Sequence, residues 1–235
     1  MNNKPNSPKA ALSRRKFLGT ALAGATATLA GSASIGFFST EPALAQSNLT
    51  PDEALKALLD GNERSATGRL TSLEQDLKIL RDHTVDKQEP FAAILSCADS
   101  RVPVELIFDQ TIGHIFVARV AGNVVTPEII GSLEYGAAVL GTKVILVLGH
   151  AGCGAVKAAI QGKAVPGQIS SLFPHIQPAV TQAGHDLAAA TKANAKIQAA
   201  LLESASPVLA PLVQEKKLKI VAGYYDLATG KASVV

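Results

Sequence analysis

The sequence contains no tryptophan, and only 4% of its residues are aromatic. Proteins that bind single-stranded nucleic acid without sequence preference stack bases on aromatic side chains, so this composition argues against such a platform. Two cysteines among 235 residues are too few for a disulfide-dense scaffold. Charged residues are also scarce at 17%, whereas 47% of residues are hydrophobic, which excludes a disordered chain. The length predicts one domain, or one domain with an appendage.

The net charge of +3 is concentrated at the N-terminus. Residues 1–45 hold five basic residues and one acidic residue, so the remaining 190 residues carry 17 basic and 18 acidic residues, a net charge of −1. A near-neutral body lacks the basic surface that nucleic-acid binding requires. We therefore predict no nucleic-acid partner.

The N-terminal 45 residues have the pattern of a twin-arginine signal peptide. Arg14 and Arg15 precede Phe17 and Leu18, a weakly apolar Ala-rich stretch follows over 21–38, and 43–45 reads Ala-Leu-Ala, which a signal peptidase accepts. We predict export to the periplasm or an equivalent lumen, with cleavage after residue 45. The alternative is an uncleaved membrane anchor. No other segment is long and apolar enough to span a membrane, so we expect none in the mature protein.

Strand and helix patterns alternate over residues 46–235. Short apolar runs predict strands at Phe91–Ser96, Ile115–Val120, Val144–Leu148 and Leu218–Asp226. Alternation of this kind predicts a single α/β domain with a mostly parallel central sheet flanked by helices.

The helix signals between these strands differ in quality. Thr50, Pro51 and Glu53 form a capping pattern for a helix that we expect to end near Gly61. A second helix is predicted over Leu73–Arg81, and residues 165–178, with three prolines, are predicted as loop or short turns. An Ala-rich helix is predicted over Ala179–Glu203, with a break at Gly184.

Three residues with zinc-binding side chains follow two predicted strands. Cys97 comes directly after the first strand, and His150 and Cys153 follow the third. Ligands of parallel sheets bind beyond the carboxyl ends of the strands, and zinc favours thiolate and imidazole ligands. Three protein ligands leave one tetrahedral position for water, which is typical of a catalytic zinc site. Asp99 is a possible fourth ligand or an acceptor beside the metal, and Arg101 is placed to pair with it.

Each of these residues also has a simpler interpretation. The two cysteines of an exported protein often form a disulfide, which would make the chain a disulfide-stabilised binding protein. His150 alone would be a buried structural residue, and Asp99 with Arg101 would be a surface ion pair of little value.

The segments Cys97–Arg101 and His150–Gly154 together resemble the β-class carbonic anhydrases, and the resemblance extends from about Leu49 to Val235. It implies zinc bound by Cys97, His150 and Cys153, and a catalytic pair formed by Asp99 and Arg101. The implied reaction is reversible hydration of carbon dioxide to bicarbonate and a proton by zinc-bound hydroxide. The resemblance also implies a homodimer or tetramer. It places five further residues around the substrate, some of them reaching in from a partner subunit: Gln88, Phe116, Ala121, Tyr135 and Gly154.

Some members of that family have a second bicarbonate pocket that moves the aspartate onto zinc. The pocket uses a tryptophan three residues before the first cysteine, and Ile94 occupies that position here, although Arg119 and Tyr225 match the other two pocket residues. The resemblance therefore favours a site whose zinc is open to water.

Two other functions remain open for the same residues. Carbonyl sulfide and carbon disulfide are linear molecules like carbon dioxide, and the ligands do not distinguish among the three. A non-catalytic zinc protein or bicarbonate sensor is the other alternative, although such a protein has no need for the Asp99–Arg101 pair.

Overall fold

The computed structural model of the protein describes residues 47–75 and 77–235. The predicted signal peptide, residues 1–45, lies outside the described residues. Within the described part of the chain, none of the helices is long and apolar enough to cross a membrane.

A five-stranded sheet forms the centre of the domain. Its strands in chain order are β1 Ala92–Ser96, β2 Ile115–Arg119, β3 Val144–His150, β4 Lys219–Tyr225 and β5 Ala232–Val234. The spatial order is β2-β1-β3-β4-β5, and every neighbouring pair is parallel except β4 with β5. This arrangement confirms the predicted α/β class with a mostly parallel sheet.

Helices flank this sheet in the described part of the chain. The α-helices are α1 Pro51–Ala66, α2 Leu77–Thr84, α3 Val104–Ile107, α4 Pro127–Glu134, α5 Gly154–Gln161, α6 Phe173–Ala183, α7 Leu187–Ala205 and α8 Leu209–Gln214. A π-helical turn, Tyr135–Val139, extends α4, and 3₁₀ turns occur at Ser72–Glu74, Ala121–Asn123 and Gly167–Leu172.

The two faces of the sheet carry separate hydrophobic cores, because successive strand residues point to opposite faces. Ala93 and Leu95 of β1 face a core with residues of α4, α7 and α8. Ala92 and Ile94 face a second core with residues of α1 and α3. The central strands β1 and β3 are buried along their whole length, as parallel strands covered on both faces should be.

The order of the strands creates a switch point between β1 and β3. The chain leaves β1 for β2 on one side and later enters β3 on the other side of β1. A crevice opens at the carboxyl ends of strands that diverge in this way, and open α/β sheets bind ligands there. Ser96 at the end of β1 is paired with Leu148, and β3 continues for two residues to His150. The predicted metal ligands therefore begin at this crevice.

The first helix is longer than predicted, because Gly61 lies inside α1 rather than at its end. The Thr50 capping box is present as expected. A Cβ atom at position 61 would lie only 2.0 Å from the carbonyl oxygen of Phe108. Gly61 thus allows α1 to approach the segment after α3, and the glycine marks a packing contact rather than a helix stop.

The prediction of loop for residues 165–178 was wrong from residue 173 onward, where α6 begins. Pro174 occupies the first turn of α6, a position that needs no backbone donor, whereas Pro178 lies inside the helix. Burial of Ile176, Ala179 and Val180 against the core outweighs the hydrogen bond that Pro178 removes. The predicted break at Gly184 is confirmed, since this residue ends α6 with φ of 67°.

Two smaller differences concern short helices. The helix predicted over Leu73–Arg81 is divided into the 3₁₀ turn at Ser72–Glu74 and helix α2. The short helix α8 had no clear signal in the sequence, because its six residues include Pro211.

Candidate metal centre

The ends of β1 and β3 bring the three predicted metal ligands together. Cys97 directly follows β1, His150 is the last residue of β3, and Cys153 is the N-cap of α5. One ligand atom from each of the three lies within 4.8 Å of the others. All three residues are buried.

The hydrogen bonding of His150 leaves one ring nitrogen available to a metal. Its Nδ1 is 2.9 Å from the carbonyl oxygen of Ala151, so Nδ1 carries the proton and donates. Its Nε2 is buried and has no hydrogen-bond partner among the described residues. A buried polar atom is rarely left unpaired. An imidazole lone pair beside two thiols is a ligand set that zinc favours, with zinc–nitrogen and zinc–sulfur bonds of about 2.0–2.3 Å. The residues present therefore fit a zinc ion.

Both cysteines are free thiols, so the described structure does not contain the disulfide considered as an alternative. The Cys153 thiol beside Cys97, with the backbone N–H of Gly122, holds the pKa of Cys97 below its ordinary value. The same contact and burial raise the pKa of Cys153, although the N–H groups of Val156 and Ala155 in the first turn of α5 oppose this. The backbone thus supplies donors to both sulfur atoms, which favours the thiolate forms that bind zinc.

Asp99 and Arg101 form a two-point ion pair at the edge of this group. The Arg101 Nε and Nη2 atoms lie 2.9 Å from Asp99 Oδ1 and 2.7 Å from Asp99 Oδ2, respectively. These bonds hold the pKa of Asp99 well below its usual range. Asp99 Oδ2 is 3.8 Å from His150 Nε2, so an ionised carboxylate faces the ligand atoms. Arg101 also donates to the carbonyl oxygen of Gly152, next to Cys153.

Arg119 has a role that the sequence analysis did not assign to it. Its Nε donates to the carbonyl oxygen of Cys97 at 3.0 Å, and its Nη2 donates to that of Asp99 at 2.6 Å. Arg119 is the last residue of β2 and pairs with Ser96. It therefore fixes the backbone turn that carries Cys97 and Asp99, and only the pairing of β2 with β1 indicates this role.

Four of the five predicted pocket residues either contact one another or adjoin in the chain a predicted metal ligand or a residue hydrogen-bonded to one, and the fifth does neither. The rings of Phe116 and Tyr135 are in contact, with centroids 6.2 Å apart. Ala121 precedes Gly122, whose N–H donates to Cys97 Sγ, and Gly154 follows Cys153. Gln88 is exposed in the segment before β1, and among the described residues it forms no hydrogen bond with the metal group.

Comparison with known proteins identifies the family. The family profile described as "Carbonic anhydrase" matches residues 92–232. Carbonic anhydrase 2 of Mycobacterium tuberculosis is 35% identical over 196 residues, which cover 79% of this chain and 93% of that protein. The carbonic anhydrase of Mycolicibacterium smegmatis is 38% identical over 137 residues, which cover 57% of this chain and 66% of that protein.

Solved structures agree with this assignment. The Coccomyxa β-carbonic anhydrase in complex with acetazolamide has a TM-score of 0.60 at 25% identity and covers 77% of this chain and 86% of that one. A tetrameric β-carbonic anhydrase from Sordaria macrospora shares the fold, with a TM-score of 0.63 at 19% identity over 78% of this chain and 97% of that one. The chain belongs to the β-carbonic anhydrase family, whose members are zinc enzymes.

Proposed function

We propose that this protein is a zinc-dependent lyase that catalyses the reversible hydration of carbon dioxide to bicarbonate and a proton. One observation carries the proposal: an ionised Asp99, held by Arg101, faces the cluster of Cys97, His150 and Cys153. A site that only stabilised the fold would need the metal ligands but not this carboxylate.

The metal and the residues beside the cluster have separate roles in the proposed reaction. Zinc, when bound by the three ligands, makes a water molecule acidic enough to react near neutral pH, as in carbonic anhydrases generally. Asp99 accepts a hydrogen bond from the reacting water and so directs an oxygen lone pair of that water toward the carbon atom of the substrate. Arg101 keeps Asp99 ionised and fixes its orientation. Because Arg101 engages both carboxylate oxygens, this arrangement supports a site in which Asp99 is not a metal ligand.

The proposed substrate pocket is largely apolar, which suits a nonpolar gas. The contacting rings of Phe116 and Tyr135 form one wall. By resemblance, Ala121 and Gly154 line the pocket beside the ligands, and the amide of Gln88, exposed in the single chain, reaches the pocket of a partner subunit and donates to a substrate oxygen.

Carbonyl sulfide and carbon disulfide are the alternative substrates for the same site. We would measure hydration of carbon dioxide by stopped flow, and hydrolysis of the two sulfur compounds in parallel, on the same zinc-loaded preparation. We expect carbon dioxide to have the highest kcat/KM. A higher value for either sulfur compound would reassign the substrate, and no turnover of any of the three would favour a sensing role.

We also propose that the protein works as a homodimer or tetramer. Strand β2 lies at an edge of the sheet, and exposed apolar side chains, Leu106 and Ile112 among them, lie in the same groove as its first residue, Ile115. Tyr135 of the proposed pocket is 47% exposed in the single chain. A second copy that covered these side chains would remove them from water.

We further propose that residues 1–45 direct export by the twin-arginine route to the periplasm or an equivalent lumen, leaving 46–235 as the mature enzyme. This route carries folded proteins, so zinc would bind Cys97 and Cys153 before they reach an oxidising compartment. Replacing Arg14 and Arg15 together by lysine should keep an active precursor in the cytosol. Export and processing at the parental rate would contradict the proposal.

A further inference from the structure

The loop between β2 and α4, residues 120–126, packs Val124 in the same buried cluster as Cys97 and Cys153 and donates a backbone hydrogen bond to one of the two sulfur atoms. The N–H of Gly122 donates to Cys97 Sγ at 3.3 Å. Gly122 has φ of 74°, a conformation that favours glycine, and a Cβ atom there would lie 2.9 Å from Ile176 Cδ1. The position of this N–H therefore depends on how tightly the backbone of the loop is held.

Two buried amide side chains of α7 hold this loop. Asn194 Nδ2 donates to the carbonyl oxygen of Gly122 at 2.8 Å, and Gln198 Oε1 accepts from the N–H of Val125 at 2.7 Å. Gln198 Nε2 donates both to Asn194 Oδ1 and to the carbonyl oxygen of His175 in α6. The exposed fractions of Asn194 and Gln198 are 0% and 1%, so these amides have exchanged water for the loop backbone.

A hydrogen bond to a thiolate changes how much negative charge the sulfur donates to a metal. A zinc ion with two thiolate ligands receives more negative charge than one with histidines alone, which makes it a weaker acid for water. An N–H donor withdraws charge from the sulfur and offsets part of this effect, and outer partners of this kind tune metal sites. Apolar side chains cost less to bury than amides, so filling the core does not by itself explain two buried amides at these positions.

We propose that Asn194 and Gln198 are positioning residues of the zinc site. They hold the 120–126 loop so that the Gly122 N–H stays directed at Cys97 Sγ, and they act on the metal only through that bond. This inference rests on the proposed function, because it requires Cys97 to be a metal ligand.

The cobalt-substituted protein provides a direct test, because thiolate-to-cobalt charge-transfer absorption reports the electron donation of the sulfur. Asn194→Leu and Gln198→Met each remove the polar contacts at similar side-chain size. Thr191→Val is the matched control, since the buried Thr191 hydroxyl donates to the Leu187 carbonyl within α7 and not to the 120–126 loop. Urea unfolding would show which variants fold, and one folded amide variant is enough for the comparison with the parent.

We expect the charge-transfer band of each folded amide variant to move to longer wavelength, because the sulfur keeps more charge. Zinc should pass to a chelator about tenfold faster than from the parent, because the bond that orients Cys97 Sγ is lost, and this outweighs the stronger donation. The Thr191→Val spectrum and zinc release should match the parent. Parental spectra and zinc release in the folded amide variants would overturn the inference and leave the proposed function intact. Absence of any thiolate-to-cobalt band in the cobalt-loaded parent would overturn both.

Discussion

At the level of single residues, one arginine holds the Asp99 carboxylate beside the predicted metal ligands. It accepts three hydrogen bonds from Arg101, from the backbone N–H, Nε and Nη2. Its side chain is 17% exposed, so the carboxylate remains close to water while it faces His150. A carboxylate in this position is ionised at every pH at which the protein is expected to work.

Asp99→Asn should leave zinc bound and reduce carbon dioxide hydration by about 100-fold or more, because an amide is a poor acceptor for the hydrogen of the reacting water. Stopped-flow hydration and zinc content should be measured on the same sample. Glu203→Gln, which changes an exposed carboxylate in α7, is the control and should retain parental turnover. Near-parental turnover by zinc-loaded Asp99→Asn would remove Asp99 from the chemistry.

The sequence predicted the cluster of Cys97, His150 and Cys153, because the residue types and spacing that indicate it are local features. Cys97 and His150 follow two strands that were expected to be neighbours, and Cys153 comes three residues after His150. These positions were enough to expect the three side chains to converge. Arg119 and Asn194 were not assigned their roles, because each acts on backbone atoms of a segment distant in sequence. A side chain that bonds to a carbonyl group leaves no pattern in the sequence, so only the folded chain reveals it.

At the level of secondary-structure elements, Gly61 determines how closely α1 approaches the end of α3. Gly61→Ala should destabilise the protein by about 2 kcal/mol, because overpacking against the Phe108 carbonyl exceeds the gain of about 1 kcal/mol in helix propensity. Gly131→Ala is the control, since a Cβ atom there meets nothing within 4 Å, and it should be neutral or stabilising by up to about 1 kcal/mol. Urea unfolding of both variants tests this, and equal stability would contradict the contact.

Asp109 joins α1 to the segment before α2. Burial of its carboxyl group acts to raise its pKa, but the N–H of Ser72, Arg64 and Thr71 outweigh this and hold the pKa well below its usual range. Asp109→Asn should lower the free energy of unfolding by about 3 kcal/mol at neutral pH. Asp60→Asn, which breaks the exposed pair with Lys56, should cost about 0.5 kcal/mol or less.

The pH dependence gives a second check on Asp109. A carboxyl group with a lowered folded-state pKa stabilises the protein above its unfolded pKa of about 3.9, and this contribution declines as the pH falls toward the folded value. The stability difference between the parent and Asp109→Asn should therefore be constant near neutrality and narrow below about pH 4. A difference that widened on acidification would contradict the assigned pKa direction.

The strands were predicted more accurately than the helices, for a physical reason. The runs that form β1 and β3 are continuously apolar and bounded by polar residues, and burial on both faces leaves no competing interpretation. The local signals of Gly61 and Pro178 were misleading, because tertiary packing determines the helices that contain them. Local propensity is a weak guide wherever such contacts oppose it.

At the level of the whole molecule, the exposed apolar groove beside β2 predicts that the active species is at least a dimer. Sedimentation of the enzyme at its assay concentration should show a dimer or tetramer. Leu106→Glu together with Ile112→Glu, which places charge in the groove, should shift the population toward monomer and reduce hydration. Full activity of a monomer at that concentration would contradict the prediction.

The most direct test of the account measures zinc content and carbon dioxide hydration together in the parent, Cys97→Ser and Cys153→Ser. We expect one zinc per chain and rapid hydration in the parent, because the three buried ligand atoms lie within 4.8 Å of one another. Both variants should lose zinc and hydration together. Full zinc occupancy in either variant, or undiminished hydration by a zinc-free variant, would contradict the central claim.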